Sequence, residues 1–318
     1  MAVYTDVSFE DLETFLERYG IGAPLSFKGI AEGVENSNFF LRTEEGAFIL
    51  TLYEKRVQAD DLPFFLGLME HLSAHGIACP LPVRQRGGEL FSELNGRPAA
   101  LLTFLNGVSL RHPDADRCAA AGAALAALHE AGNGFTLQRP NALGPAGWRD
   151  LAAKVAEGAA GVEEGLGGLI RTALELPWPS GLPSGIIHAD LFPDNVLFMN
   201  GQVSGVIDFY FACNDAFAYD LAVLLNAWCF DADGGFDVAR SAKLFAAYRK
   251  HRALGAGEIE ALPALARGAA LRFLLTRLYD ILHHDPMALV RPKDPLEYLK
   301  KLRFHRSVTD PAAYGIDP

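Results

Sequence analysis

Over the first hundred residues, apolar and polar positions alternate in short runs; beyond that, apolar residues mostly recur at helical spacing. Ser8 and Asp11 form a capping-box pattern ahead of Leu12, Phe15, Leu16 and Tyr19, which share one helical face. Strand-like runs follow at 25–30, 37–43 and 47–53, the last two joined by the tight turn Glu44-Glu45-Gly46. Residues 62–75 read as a helix ended by Gly76, and Pro80 and Pro82 then break the chain. Strands at 89–93 and 98–104 flank Asn95-Gly96, a hairpin turn. From about residue 109 the pattern is helical apart from 186–208, with the glycine-rich stretch 158–168 predicted to be a loose connection. The order predicts an α+β protein of two parts. A small N-terminal antiparallel sheet with one main helix spans 1–104, and a larger, mostly helical part spans 105–318.

Composition narrows the function. A chain of 318 residues, half of them hydrophobic, can build two sizeable cores. Its net charge of −11 argues against nucleic acid or an anionic membrane surface as a partner. The longest apolar stretches, such as 119–128, are short and alanine-rich, and the acidic, polar N-terminus does not read as a signal peptide. Cys79, Cys118, Cys213 and Cys229 lack zinc or redox spacing, which predicts free thiols in a reducing cytoplasm. Oligomeric state has no signature in the sequence.

The densest chemistry lies between residues 188 and 208. Asn200-Gly201 between two apolar runs predicts a type I′ hairpin in which Asn195 pairs with Val206. Asp208 then sits at the same open end, on a diagonal of roughly 7–8 Å between backbones. Asp190 precedes Asn195 by five residues, in a loop broken by Pro193. Two carboxylates and a carboxamide so gathered suit a site that orients a hydroxyl and holds Mg2+ against phosphates. His188 is predicted to brace the loop by hydrogen bonding, and Asp220 to anchor backbone at a helix start. His283, His284 and Asp285 could mimic a metal cluster, but adjacent histidines on a helix diverge. Asp294-Pro295 reads as a helix cap.

The spacing Asp-x4-Asn, hairpin, Asp-Phe resembles the second half of the protein-kinase signature, in which the first Asp faces the acceptor hydroxyl and the Asn and last Asp hold magnesium. His188-Ala189-Asp190 in place of His-Arg-Asp, and Ile207-Asp208-Phe209-Tyr210 in place of Asp-Phe-Gly, resemble the aminoglycoside-phosphotransferase and choline-kinase branch. That resemblance implies a bilobal protein-kinase-like fold. In it, Asp190 is the catalytic group, and Asn195 and Asp208 are ligands of Mg2+ bound with ATP. The loop after the first strand falls where a phosphate-covering loop should be; Gly29, Gly33, Asn36 and Ser37 become candidate nucleotide contacts, with Phe104 and Leu105 at the junction between the two parts. Glu32 and Glu35 would repel phosphate and should point away.

One element of the kinase pattern is missing. The strand position that should offer lysine to the phosphates is Thr51, and the helix that should carry its glutamate partner reads Leu62-Pro63-Phe64-Phe65-Leu66. Losing both charges together is coherent, because either one alone in a buried cleft would be costly. Lys28, Arg42, Lys55 and Arg56 are the cations that could substitute.

Further matches extend over about residues 25–305. They are Glu32-Gly33-Val34-Glu35-Asn36-Ser37-Asn38, Phe48-Ile49-Leu50-Thr51-Leu52-Tyr53-Glu54, the 188–198 and 207–211 segments, and Arg277-Leu278-Tyr279-Asp280. Together they resemble the bacterial homoserine-kinase family of the aminoglycoside-phosphotransferase fold. This implies ATP-dependent phosphorylation of L-homoserine, a small-molecule substrate, on the route to threonine. Residues 270–306 hold eight Lys and Arg against four Asp and Glu, which suits an acceptor with a carboxylate better than a polyamine. Arg272 and Arg277 are candidate substrate contacts, although five residues apart on a helix they do not share a face. Choline, methylthioribose or aminoglycoside kinases of the same fold would share the core site, and a non-catalytic pseudokinase is the alternative of a different class.

Overall fold

The structure, a computed structural model, describes residues 5–30, 36–54, 57–284 and 291–316. The chain divides into two compact units, one of residues 1–107 with 204–210 and the other of 108–203 with 211–318.

In the first unit, helix α1 (Phe9–Leu16) begins at Ser8, whose hydroxyl accepts from the Asp11 N–H while the Asp11 carboxylate accepts from the Ser8 N–H, both at 3.1 Å. This reciprocal cap fixes the helix start and turns Leu12, Phe15 and Leu16 into the core. Strands β1 (Pro24–Gly29), β2 (Ser37–Thr43), β3 (Gly46–Leu52), β4 (Ser92–Leu94) and β5 (Arg97–Thr103) form an antiparallel sheet in the order β1-β2-β3-β5-β4. The period-2 pattern of β2 sends Phe39 and Leu41 to the face occupied by α1 and by Leu50, Leu52 and Leu101. Asn95 and Gly96 both have positive φ (51° and 74°), as a type I′ turn requires. Strand β4 starts three residues later than the sequence pattern predicts, because Glu89 is used to close a turn through Gly88, accepting from the Gln85 N–H at 2.9 Å. Helix α2 (Leu62–Ala74) has Pro63 in its first turn and buries Leu62, Phe64, Phe65, Leu66, Leu68, Met69 and Leu72. Each such side chain contributes roughly 1.5–3 kcal/mol when fully buried.

The second unit is built from α3 (Ala115–Ala131), α4 (Pro145–Val155), α5 (Ala159–Val162), α6 (Leu166–Leu174), β6 (Ser184–Ile187), β7 (Val196–Met199), β8 (Gln202–Val206), β9 (Cys213–Ala216), α7 (Phe217–Trp228), α8 (Val238–Arg249), α9 (Ala256–Leu282) and α10 (Pro295–Ser307). The last three residues of β8 belong to the first unit. Asp114, Asp237 and Asp294 cap α3, α8 and α10 through side-chain bonds to backbone N–H groups. Gly122 lets α3 meet α8 at close range, since a Cβ there would sit 2.4 Å from the Leu244 carbonyl oxygen.

Two parts of this unit differ from the sequence pattern. Residues 158–168 form α5 and the start of α6 rather than a loose connection; Ala159 and Leu166 are buried, and the small Gly158 lies under Leu282. Strand β9, in a stretch read as helical, pairs antiparallel with β6 from Ser184↔Ala216 to Ile187↔Cys213. Four residues with Asn214 and Asp215 at the centre carry no alternation that would reveal a strand. The four cysteines are buried free thiols.

Candidate active site

Strand β6 delivers His188, Ala189 and Asp190 into a loop held from three directions. Asp220, in the first turn of α7, is fully buried; its carboxylate accepts the N–H groups of His188 (2.7 Å) and Ala189 (2.8 Å) and a bond from His129 Nε2 on α3 (3.1 Å). The other His129 nitrogen, Nδ1, meets the Tyr248 hydroxyl at 2.7 Å. Burial alone would raise the Asp220 pKa, but the bonds from His129 and the His188 backbone outweigh it and keep the carboxyl below its ordinary value. Burial lowers His129, which leaves a neutral imidazole donating to a carboxylate.

Ala189 takes a left-handed conformation, φ 62°, which costs a side-chain-bearing residue on the order of 1 kcal/mol. Both of its backbone groups are fixed, the N–H by Asp220 and the carbonyl by the Arg272 guanidinium on α9. The Asp190 N–H donates to His188 Nδ1 at 3.2 Å, so His188 braces the loop. Beyond it, Asn195 Nδ2 donates to the Asp190 carbonyl (2.8 Å) and side chain (3.3 Å), and Trp228 Nε1 donates to the Leu191 carbonyl (2.8 Å). The Asp190 side chain is 17 % exposed, and Arg272 Nη2 lies 3.7 Å from it. Burial pushes this carboxyl up to about 6, against the opposing charge of Arg272. A carboxylate with that affinity for a proton, at the mouth of a pinned loop, suits a hydroxyl-orienting base.

Strands β7 and β8 form the hairpin, with Asn200 and Gly201 at φ 51° and 81°. In the first unit, the end of β8 is tied by the Val206 N–H to the Ala78 carbonyl (2.9 Å). Asp208 then adopts φ 65°, followed by the buried Phe209 and by Tyr210.

The other predicted residues fall in varied surroundings. Gly29 pairs with Phe39 in the sheet, and Gly33 lies outside the described residues, as do Glu32, Glu35, Lys55, Arg56 and Asp285. Asn36 and Ser37 are buried against Glu54: Ser37 Oγ donates to Glu54 Oε1 at 2.7 Å and Asn36 Oδ1 accepts the Glu54 N–H at 3.3 Å. Their side chains are therefore engaged inside the unit. Phe104 is exposed and meets Phe40 edge-on, while Leu105 packs over Gly205. Lys28 and Arg42 are exposed on the sheet. Arg277 donates to Glu297 (2.6 Å) and to the Asp294 carbonyl (3.0 Å). Thus the two arginines of α9 do part company, Arg272 to the Asp190 loop and Arg277 to α10. The basic excess of 270–306 is also largely engaged: Lys301 shares Glu297, Arg303 pairs with Glu163, and Lys293 pairs with Asp194. A cavity of about 470 Å3 in the second unit, lined by Trp148, Arg149, Trp178, Arg267, Gly268 and Leu271, contains none of the predicted site residues.

Sequence reasoning missed His129, Trp228, Tyr53 and Tyr210. His129 and Asp220 are 91 residues apart, and no local pattern joins them. Tyr210 did leave a signal, since it stands where the kinase motif has glycine.

The phosphotransferase enzyme family (APH) matches residues 26–254, and the chain belongs to that family. It is 57% identical to a homoserine kinase of Rhizobium johnstonii over 99% of each chain. It is 56% identical to a homoserine kinase of Parvibaculum lavamentivorans over 100% of each. Among solved structures, amicoumacin kinase in complex with AMP-PNP, Ca2+ and Ami superposes with a TM-score of 0.67 at 17% identity, over 93% of this chain and 91% of that one. The fold is therefore the α+β kinase-like fold. No helix among the described residues is long and apolar enough to cross a membrane.

Proposed function

We propose that this protein is a homoserine kinase, transferring the γ-phosphoryl group of ATP to the side-chain hydroxyl of L-homoserine to give O-phospho-L-homoserine and ADP, on the route to threonine. The observation that carries the reading is identity of 56–57% over essentially the full length of homoserine kinases, with no part of the candidate site outside the match. A biosynthetic step that uses ATP belongs in the cytoplasm, the compartment in which four unpaired thiols are stable.

Asp190 orients the acceptor hydroxyl and takes its proton as the oxygen attacks. Its raised pKa serves that role, since a base near 6 is ionised at neutral pH yet holds a proton better than an ordinary carboxylate. Arg272 fixes the preceding carbonyl and keeps Asp190 from rising further. The residue types that the kinase-like spacing assigns to Mg2+ suit it: Asn195 uses its amide nitrogen on Asp190, which leaves its carbonyl oxygen as the group to offer, and Asp208 would supply a carboxylate. One carboxylate and one amide oxygen, completed by phosphates and water, is the set a small hard cation takes. When bound, Mg2+ neutralises phosphate charge; the chain's own part is to align hydroxyl and phosphate in line, where positioning supplies most of the rate.

A substrate panel with coupled ADP detection tests this. ADP formation with L-homoserine, and none with choline, methylthioribose or aminoglycosides, is the expected result. Turnover with one of those alcohols but not with homoserine would overturn the acceptor assignment.

A further inference from the structure

The position that carries lysine in protein kinases is Thr51, and strand β3 itself carries no charged residue. Beside it stand neutral hydroxyls and rings, with the buried Glu54 paired to Arg97 (3.1 Å) one residue beyond Tyr53. Thr51 Oγ1 donates to Asn38 Oδ1 across the β2–β3 ladder at 2.8 Å. Two residues on, Tyr53 is fully buried, its N–H bonded to the Pro98 carbonyl at 2.8 Å. Its hydroxyl lies 3.2 Å from that of Tyr210, and the two rings meet edge-on with centroids 5.2 Å apart. Phe65 of α2, in the segment where a kinase would carry its glutamate, packs edge-on against the same Tyr210 ring at 5.7 Å. Tyr210 is therefore gripped by the end of β3 and by α2 at once. It follows Asp208 by two residues, and Asp208 takes the left-handed conformation that Asp adopts more readily than most residues with a side chain.

We infer that the Tyr53–Tyr210 hydroxyl pair is a positioning device that takes the place of the lysine–glutamate link, fixing the Asp208 turn to β3 and α2 so that its carboxylate is presented to the metal-bound nucleotide. This rests on the reading of Asp208 given above. A buried lysine–glutamate pair needs both charges compensated. Two phenols make the same mechanical tie without charge, each keeping a hydroxyl bonded and a ring packed. The pair also explains why tyrosine follows Asp208-Phe209: glycine there could reach neither strand nor helix.

Tyr210→Phe and Tyr53→Phe keep both rings and remove the bond. Calorimetric titration with ADP, with and without Mn2+, reads the effect apart from turnover. Each variant should weaken metal-dependent ADP binding by about tenfold, the scale of one buried hydrogen bond. Metal-free ADP binding and the KM for the acceptor should stay at wild-type values, and Tm should fall by no more than a few degrees, the scale of one neutral hydrogen bond. The double variant should be no worse than either single one, since all three lose the same bond. Unchanged metal-dependent binding in the two single variants would overturn the inference, as would a loss shared equally by metal-free binding, acceptor KM and Tm. Asp208→Asn, run in parallel, separates the two levels. Retained metal dependence in Asp208→Asn would overturn the metal reading itself. Its loss there, with Tyr210→Phe unaffected, would overturn the tyrosine link alone.

Discussion

The loop before Asp190 and the turn at Asp208 share one local feature, and the contacts described beside them differ in chemistry. Each contains a residue with a side chain in left-handed conformation, Ala189 at φ 62° and Asp208 at φ 65°. Around Ala189 the support is ionic and buried: the Asp220 carboxylate collects two backbone N–H groups and His129, and the Arg272 guanidinium takes the carbonyl. Two residues past Asp208, Tyr210 adds a neutral tie, one phenol pair backed by aromatic edges. A buried carboxylate is tolerable where several donors converge on it, as they do on Asp220. The contrast predicts a rigid acceptor side, on which bond formation demands accurate placement, and a nucleotide side whose anchoring can be weakened without loss of fold.

The largest effect expected on either side is on turnover. Asp190→Asn removes the proton acceptor, and Asp208→Ala removes the one carboxylate assigned to the metal. Each should cut kcat by roughly 10²–10⁴-fold while far-ultraviolet circular dichroism and Tm remain those of a folded protein. Turnover of Asp208→Ala at wild-type rates would remove the metal assignment and with it half of the comparison.

Stability should separate the two sides more sharply. Asp220→Ala strips a fully buried carboxylate from two backbone N–H groups and from His129, and should cost about 3–5 kcal/mol in denaturant unfolding. Tyr53→Phe removes one neutral bond and should cost about 1 kcal/mol. Equal losses would mean that the phenol pair is as structural as the carboxylate.

These supports differ in how far the sequence could reveal them. The hairpin, both Asn-Gly turns and the Ser8 cap were legible because each depends on neighbours within a few residues, whereas the pairing of β3 with β5, some fifty residues apart, was not. The spacing of Asp190, Asn195 and Asp208 was legible for the same reason. The Asp220 network was only half visible: its place at a helix start could be read, but its partner His129 lies on a helix 91 residues away. The engagement of Asn36 and Ser37 by Glu54 was hidden because a polar residue beside a glycine-rich loop looks the same whether it faces solvent or closes a sheet edge. Arg272 and Arg277 could be told apart in direction by helical geometry, but their partners come from a distant loop and from α10.

The last effect is on pH dependence, and it tests whether Asp190 is poised by burial. Its folded pKa, about 6, lies above the ordinary 3.8. The folded state therefore favours the protonated carboxyl. Its contribution to stability is complete below about pH 4 and is lost as pH rises through 6. Ionised at neutral pH, the group should cost the fold up to about 3 kcal/mol, from 2.2 pH units at about 1.4 kcal/mol each. Asp190→Asn should thus unfold at higher denaturant than wild type at pH 7.5, with the gap closing as pH falls from 6 to 4. Other groups move the opposite way. Burial holds His305 down to about 3, and Asp220 stays below its ordinary value, so both weaken the fold as pH falls. They are common to the two proteins and cancel in the difference. A pH-independent difference would mean that Arg272, 3.7 Å away, compensates the carboxylate in full. Arg272→Gln would then shift the acid limb of kcat upward, because the charge that now lowers the Asp190 pKa would be gone.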